Sequence, residues 1–262
     1  MLSSVTTTEE SIEVVCCLTS YPVRIKNCYR VLKSLLENTI PPDRIYLTLA
    51  SSQFPNNLDD LPPLLRRLVV SDPKVHVLWE DVDRKIMMQV LPVLPFLNDS
   101  AVIVPIDDDV LYPTDYIESR LKDFEEFGRV PLTGCSTQRG RTLWERWGIP
   151  SSIGHACLFQ KQHIRNINRF IDDDVMQANN SDGTYSIVEW LNGHVAHDVT
   201  KYGMDWLFHH CLWNETQPSR LNAAYQKGDQ LLETFSRRVM DLTGICITDP
   251  KSALSCHGIF AS

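Results

Sequence analysis

The chain has 262 residues, 43% of them hydrophobic and 22% charged, enough to bury a substantial core and outside the disordered and fibrous classes. Its 25 basic residues stand against 33 acidic ones, a formal net charge of −8. That balance argues against a nucleic-acid partner or a broad anionic membrane surface, and still leaves room for a local basic patch that holds a diphosphate.

Residues 1–11 have neither the basic head nor the apolar run of a secretory signal and are expected to form a flexible leader. No stretch of about 18 apolar residues follows, so no transmembrane segment is expected. The eight cysteines include no C-x-x-C pair, and Cys16 and Cys17 sit inside an apolar run. Reduced thiols and a cytoplasmic location are the expectation.

In chain order, residues 12–19 form a first buried strand, closed by a turn at Ser20, Tyr21 and Pro22. A helix follows over Ile25 to Glu37, with Val31, Leu32, Leu35 and Leu36 on its apolar face. Pro41 and Pro42 precede a second strand at Arg44 to Ala50. Strand, helix and parallel strand in that order predict an open α/β sheet. After a turn-rich stretch come a short helix at Pro63 to Leu68 and a third strand at Val75 to Trp79. The exit of that strand carries Glu80, Asp81, Asp83, Arg84 and Lys85. Residues 86–96 are expected to form a helix interrupted by Pro92, and Ala101 to Ile106 a fourth strand.

Beyond it, Thr114 to Phe127 reads as a helix with Gly128 past its end. Residues 140–150 form a bulky irregular segment, Gly154 to Phe159 a return strand, and residues 172–184 a polar loop. A helix is expected around Asp205, between Val199 and Cys211, and a last apolar stretch at Ile245 to Ile247. With no repeat and no linker, residues 12–262 are expected to make one α/β domain, a mostly parallel central sheet flanked by helices.

Asp107, Asp108 and Asp109 follow the fourth strand directly. Open α/β sheets bind ligands beyond the carboxyl ends of their strands, where this cluster falls. Three adjacent carboxylates repel one another, and a divalent cation with a preference for hard oxygen ligands, Mn2+ or Mg2+, offsets that repulsion. In an extended backbone Asp107 and Asp109 point to one side and Asp108 to the other. One of the matched pair then binds metal directly, and the other holds a sugar hydroxyl or metal-bound water. The competing reading is a solvated acidic turn, which the apolar strand leading into the cluster disfavours.

With these residues in view the chain resembles nucleotide-sugar-dependent glycosyltransferases of the GT-A fold. The likeness is to bacterial members that open with a strand followed by Thr-Ser-Tyr-Pro-x-Arg, here Thr19 to Arg24. Arg44 to Leu49, Lys85 and the run from Asp107 to Pro113 continue it, and it is good over residues 12–118. The resemblance implies a donor-binding half at 12–118 and an acceptor-side half with the C-terminal tail at 119–262. It implies transfer of a sugar from a nucleoside diphosphate sugar, by default a UDP-sugar, to an acceptor hydroxyl of a glycan or glycolipid. Thr19, Tyr21 and Arg24 would line the nucleotide or diphosphate end, and Lys85 would reach a phosphate or the donor sugar. Asp107 and Asp108 would stand on the donor, and Asp109 on the metal bridging the diphosphate. Arg24 and Lys85 also read as ordinary solvated charges, and Tyr21 as packing over the first helix.

Inverting members carry an acceptor-side carboxylate that acts as base, for which Asp205 between Met204 and Trp206 is the best match. Glu189 and Asp172 to Asp174 compete with it. Many such enzymes contribute a histidine near the C-terminus to the metal, and His257 fits that place; exposure of a lone terminal histidine is the alternative. No His-Glu-x-x-His, Walker or Gly-x-Gly-x-x-Gly signature occurs. The rival functions are a sugar-phosphate nucleotidyltransferase and a noncatalytic nucleotide-sugar-binding protein. Action at the inner face of a membrane, as a peripheral protein, stays open.

Overall fold

The structure, a computed structural model, describes residues 12–134, 156–172, 181–199, 201–202, 212, 228–244 and 257–260. Strand β1 (Val14–Thr19) is apolar without alternation because both of its faces are covered. Val14, Cys16 and Leu18 enter one core, and Val15 and Cys17 enter the other. On one side β1 pairs in parallel with β2 (Arg44–Ala50), which pairs with β3 (Val75–Glu80). On the other side β1 pairs in parallel with β4 (Val102–Pro105), Cys16 lying opposite Val104. β5 (Leu132–Thr133) bridges through Leu132 to Leu158, next to β6 (Phe159–Gln160). β6 closes the main sheet as an antiparallel edge on β4, giving the order β3-β2-β1-β4-β6. This is a single α/β domain with a mostly parallel sheet, as expected from the sequence.

The first core lies under α1 (Ile25–Leu36), α2 (Pro63–Ser71) and α3 (Tyr116–Glu126). Helix α1 buries Ile25, Cys28, Val31, Leu32 and Leu35, the i, i+3, i+6, i+7 and i+10 stripe of a helix with one face on a sheet. Helix α3 stops in a Schellman turn: Gly128 N–H reaches the Glu125 carbonyl at 3.2 Å and Arg129 N–H the Phe124 carbonyl at 2.7 Å. Gly128 takes φ +78° there, the left-handed value such a cap requires.

The second core covers the opposite face. Its helical layer comprises two 3₁₀ helices, α4 (Ser181–Leu191) and α5 (Gly228–Thr243). The short strand β7 (His197–Asp198) pairs in parallel with β5.

Three expectations change. Residues 86–96 are not one broken helix but two 3₁₀ helices, Lys85–Gln89 and Leu91–Phe96, since Pro92 and Pro95 remove the N–H groups a continuous α-helix needs. Residues 181–184, expected as loop, are the first turn of α4, whose Ser, Asp, Gly and Thr resemble a loop in composition; Thr184 is nonetheless fully buried. Helix α5 was not foreseen. The leader, residues 140–150, the Asp205 segment and Ile245 to Ile247 lie outside the described residues. Among the described residues no helix is long and apolar enough to cross a membrane, and Cys16, Cys17, Cys28 and Cys157 are buried free thiols.

Candidate active site

Strands β2 and β3 step outward on one side of β1, whereas β4 lies on the other. The chain therefore reverses its direction across the sheet at β1, and the C-terminal ends of β1 and β4 open a crevice at that switch point. The two exits start side by side, for the Ile106 N–H still bonds the Cys17 carbonyl at 2.8 Å. Residues 19–24 leave β1 into this crevice, and residues 106–109 leave β4 into it.

The strand ends at Pro105, and Asp108 and Asp109 form a turn. The alternation expected of an extended backbone is lost there. Asp108 Oδ1 and Asp109 Oδ2 both pair with Nη2 of Arg24. Ser20 Oγ donates to Asp108 Oδ2 at 2.6 Å. The Asp107 N–H donates to Tyr112 Oη at 2.9 Å, and Gln89 Nε2 donates to the Ile106 carbonyl at 2.8 Å. From the distant half of the chain, the Leu212 N–H donates to the Asp109 carbonyl at 2.7 Å.

In this cluster burial and neighbouring charge act against one another. Burial, and then the charge of Asp107, push the Asp109 carboxyl up to about 7 despite Arg24. Burial likewise raises Asp108 against the pull of Arg24 and the Ser20 hydrogen bond. Burial alone would lower Arg24, but Asp108 and Asp109 together hold it above its ordinary value. Asp108 and Asp109 share the Arg24 guanidinium, in a place where Asp108 is 7% and Asp109 6% exposed. Among the described residues no group of three His, Cys, Asp or Glu side chains could hold a metal ion. Any divalent cation here would need ligand oxygens from beyond the described residues, such as the substrate phosphates that Mg2+-type sites commonly take.

The other sequence-chosen residues divide. Thr19 reaches the crevice, but its hydroxyl proton is given to the Thr48 carbonyl at 2.8 Å. The Tyr21 ring lies 5.8 Å from the Arg24 guanidinium carbon, so it flanks the cation. Lys85 stands at the head of the 3₁₀ helix that carries Gln89, with φ +55°. Asp83 holds it there, accepting from its N–H and its Nζ at 2.9 Å each, while Gln53 donates to Asp83 at 2.8 Å.

His257 is not brought to Asp109. Its ring centroid is 4.3 Å from that of Trp190. Gly258 N–H bonds the Trp190 carbonyl at 3.0 Å and Phe260 N–H the Leu191 carbonyl at 2.9 Å. That is the C-terminal turn of α4, where Asn192 Nδ2 bonds the Arg165 carbonyl and Arg165 approaches Asp99, just before β4. The tail is thus docked at the amino end of β4, away from the crevice, by Phe260 packing edge-on against Phe170 at 5.3 Å. Glu189 is buried in α4 and Asp172 is half-buried; Asp173, Asp174 and Asp205 lie outside the described residues. Sequence reasoning assigned no role to Ser20, Gln89 or Tyr112. Ser20 and Tyr112 stand inside the two motifs that drew attention, but only the folded turn shows what their hydroxyls meet.

No family model matches the sequence, and no curated protein sequence is similar to it. The fold is similar to a mannosyltransferase from Pyrobaculum calidifontis in complex with GDP-Man and Mn2+, with a TM-score of 0.60 and 15% identity over 95% of this chain and 69% of that one. It is also similar to residues 1–349 of TarS from S. aureus in complex with UDP-GlcNAc, with a TM-score of 0.50 and 9% identity over 88% of this chain and 73% of that one. At such identities the likeness establishes the fold: the chain has a GT-A-like glycosyltransferase fold.

Proposed function

We propose that the chain transfers a sugar from a nucleoside diphosphate sugar to an acceptor hydroxyl, with Mn2+ or Mg2+ assisting. The observation that carries this reading is the meeting of the Ser20–Arg24 exit and the Asp107–Asp109 exit at the switch point, where burial raises Asp108 and Asp109 even beside Arg24. A cation coordinated by one or two carboxylates and a diphosphate fits such a pair of buried acids. The fold supports the reading, since the similar structures hold GDP-Man with Mn2+ and UDP-GlcNAc.

In this reading Asp109 is the protein's metal ligand and Asp107 faces the donor ribose or sugar. Asp108, bonded to Ser20, fixes the turn and orients Arg24. Arg24, flanked by Tyr21, supplies fixed positive charge beside the leaving diphosphate. Thr19 contributes to the floor of the nucleotide end, and Lys85, aimed by Asp83, reaches toward a phosphate. A bound divalent cation supplies Lewis-acid stabilisation of the departing diphosphate. Asp205 is the acceptor-side base of an inverting transfer. The acceptor is a glycan or glycolipid hydroxyl met in the cytoplasm or at the inner face of a membrane.

The test is a panel of UDP-, GDP- and dTDP-sugars with and without Mn2+ or Mg2+, read as release of nucleoside diphosphate. Metal-dependent release that disappears in Asp109→Ala is expected, and Asp205→Asn is expected to bind donor without transferring it. Donor binding without release would make this a binding protein. Pyrophosphate release from a nucleoside triphosphate and a sugar phosphate would assign nucleotidyl transfer instead.

A further inference from the structure

The glycosyl-transfer reading leaves one question that three tyrosines answer: what holds the acceptor-side half of the chain against the donor carboxylates. Tyr112 and Tyr116 are buried on the same core, and Tyr202 packs against its edge. Tyr112 accepts the Asp107 N–H. Its ring lies 4.6 Å from that of Tyr116, which lies 6.0 Å from that of Tyr202. The row ends at Asp115, which accepts the Tyr202 hydroxyl and the Lys201 ammonium, the latter at 2.9 Å. Asp115 itself sits on a braced corner. The Thr39 N–H bonds the Thr114 carbonyl at 2.7 Å, and Thr39 Oγ1 donates to Glu118 at 2.6 Å.

Ten residues beyond Tyr202, the chain is fastened again where Leu212 N–H bonds the Asp109 carbonyl. Tyr202 and Leu212 are therefore both tied to the nine-residue span from Asp107 to Asp115. Stability alone does not explain the first tie. Lys201 and Asp115 are half-exposed, and such surface pairs contribute little. Tyr202 meanwhile holds φ +58°, a backbone cost that bulky residues rarely bear except where position matters.

We propose that Tyr202, fixed by Asp115 and tilted against Tyr116, is a positioning residue that registers the acceptor-side chain against the Asp107–Asp109 turn. It acts on the transfer step to the acceptor and not on donor binding. The proposal rests on the glycosyl-transfer reading for its kinetic consequence but not for its structural one.

Tyr202→Phe tests it, because the ring and its packing stay and only the hydroxyl goes; Asp115→Asn is the partner variant. With the donor that turns over, transfer to a panel of p-nitrophenyl glycosides is compared with hydrolysis to water. Both variants are expected to lose about tenfold in transfer kcat, with donor KM and hydrolysis within about twofold of wild type. Hydrogen exchange of the Leu212 amide is expected to be several-fold faster in both variants, a readout that needs no turnover. Equal loss of transfer and hydrolysis, or loss of neither, overturns the kinetic coupling. An unchanged Leu212 amide overturns the structural one. If wild type releases no nucleoside diphosphate from any donor, the glycosyl-transfer reading fails, and the amide result alone decides whether the two halves are registered as described.

Discussion

Replacing Asp109 by asparagine is expected to stabilise the metal-free fold while abolishing the proposed activity. In the folded chain, burial and the neighbouring Asp107 charge push the Asp109 carboxyl up to about 7 from an ordinary 3.8. The unfolded chain ionises it near pH 4. Between about pH 4 and 7 the folded state therefore holds more protons than the unfolded one, and stability falls as pH rises through that window. Roughly three pH units at about 1.4 kcal/mol each bound the penalty of the ionised side chain at about 4 kcal/mol by pH 8. Asparagine keeps the shape and removes the charge, and that bound already includes the attraction to Arg24. A gain of up to about 4 kcal/mol is expected at pH 8, or about 10 °C in Tm, falling to nothing near pH 4. Urea or thermal melts of both proteins at pH 4.5, 6 and 8 without metal measure the difference directly, so other titrating groups cancel. A variant less stable than wild type at pH 8, or a difference that does not grow with pH, would refute the reasoning.

Arg24→Ala removes the one guanidinium shared by Asp108 and Asp109. Breaking a buried pair typically costs about 3–5 kcal/mol, and with the Arg24 side chain 20% exposed a loss of about 2–3 kcal/mol at pH 8 is expected. The loss should shrink at pH 5, where Asp109 carries its proton, and chemical denaturation at the two pH values checks this. His163→Asn concerns the other end of the sheet. Burial and then His194 lower His163 to about 3, so it contributes stability above about pH 6.5 that is lost as pH falls toward 3. Asparagine can still accept the Gln160 N–H, which His163 Nδ1 takes at 3.1 Å. The variant should be less stable at pH 7 through lost packing, yet show a flatter acid limb in pH-jump unfolding.

Strands β1 to β3 and helices α1 and α2 were legible because their periods are unambiguous. Val14 to Leu18 and Arg44 to Ala50 are short apolar runs closed by turn residues, and a strand buried on both faces has no other sequence pattern. The Asp107–Asp109 site was legible as a place, since a buried strand leading into acid can only end at the crevice. Its internal geometry was not. Whether Asp108 opposes Asp109 or joins it depends on the turn after Pro105, and the joining partner, Arg24, is 84 residues earlier in the chain. Helix α4 was not expected at all; its polar first turn reads as loop by composition, and only burial of Thr184 says otherwise. His257 was drawn toward the metal by its chemistry alone. An imidazole has an apolar face as well as nitrogens, and the hydrophobic anchor three residues on, Phe260, decides where the tail goes.

The two ends of the sheet are thus kept chemically apart. At the carboxyl ends of β1 and β4, Asp108 and Asp109 are buried around one guanidinium and raised above their ordinary range, so ionising Asp109 is a cost in the absence of a cation. At the amino end, burial lowers His163 and His194 below their ordinary values, so those rings are uncharged near neutrality and add no field against the crevice. Stability must then fall on both sides of an optimum for opposite reasons: ionisation of Asp109 as pH rises, and protonation of His163 as pH falls. A ligand that neutralises the crevice removes only the first of these. Donor product plus Mn2+ should therefore stabilise the chain more at pH 8 than at pH 5, and a ligand effect equal at the two pH values would mean that it binds somewhere other than Asp109.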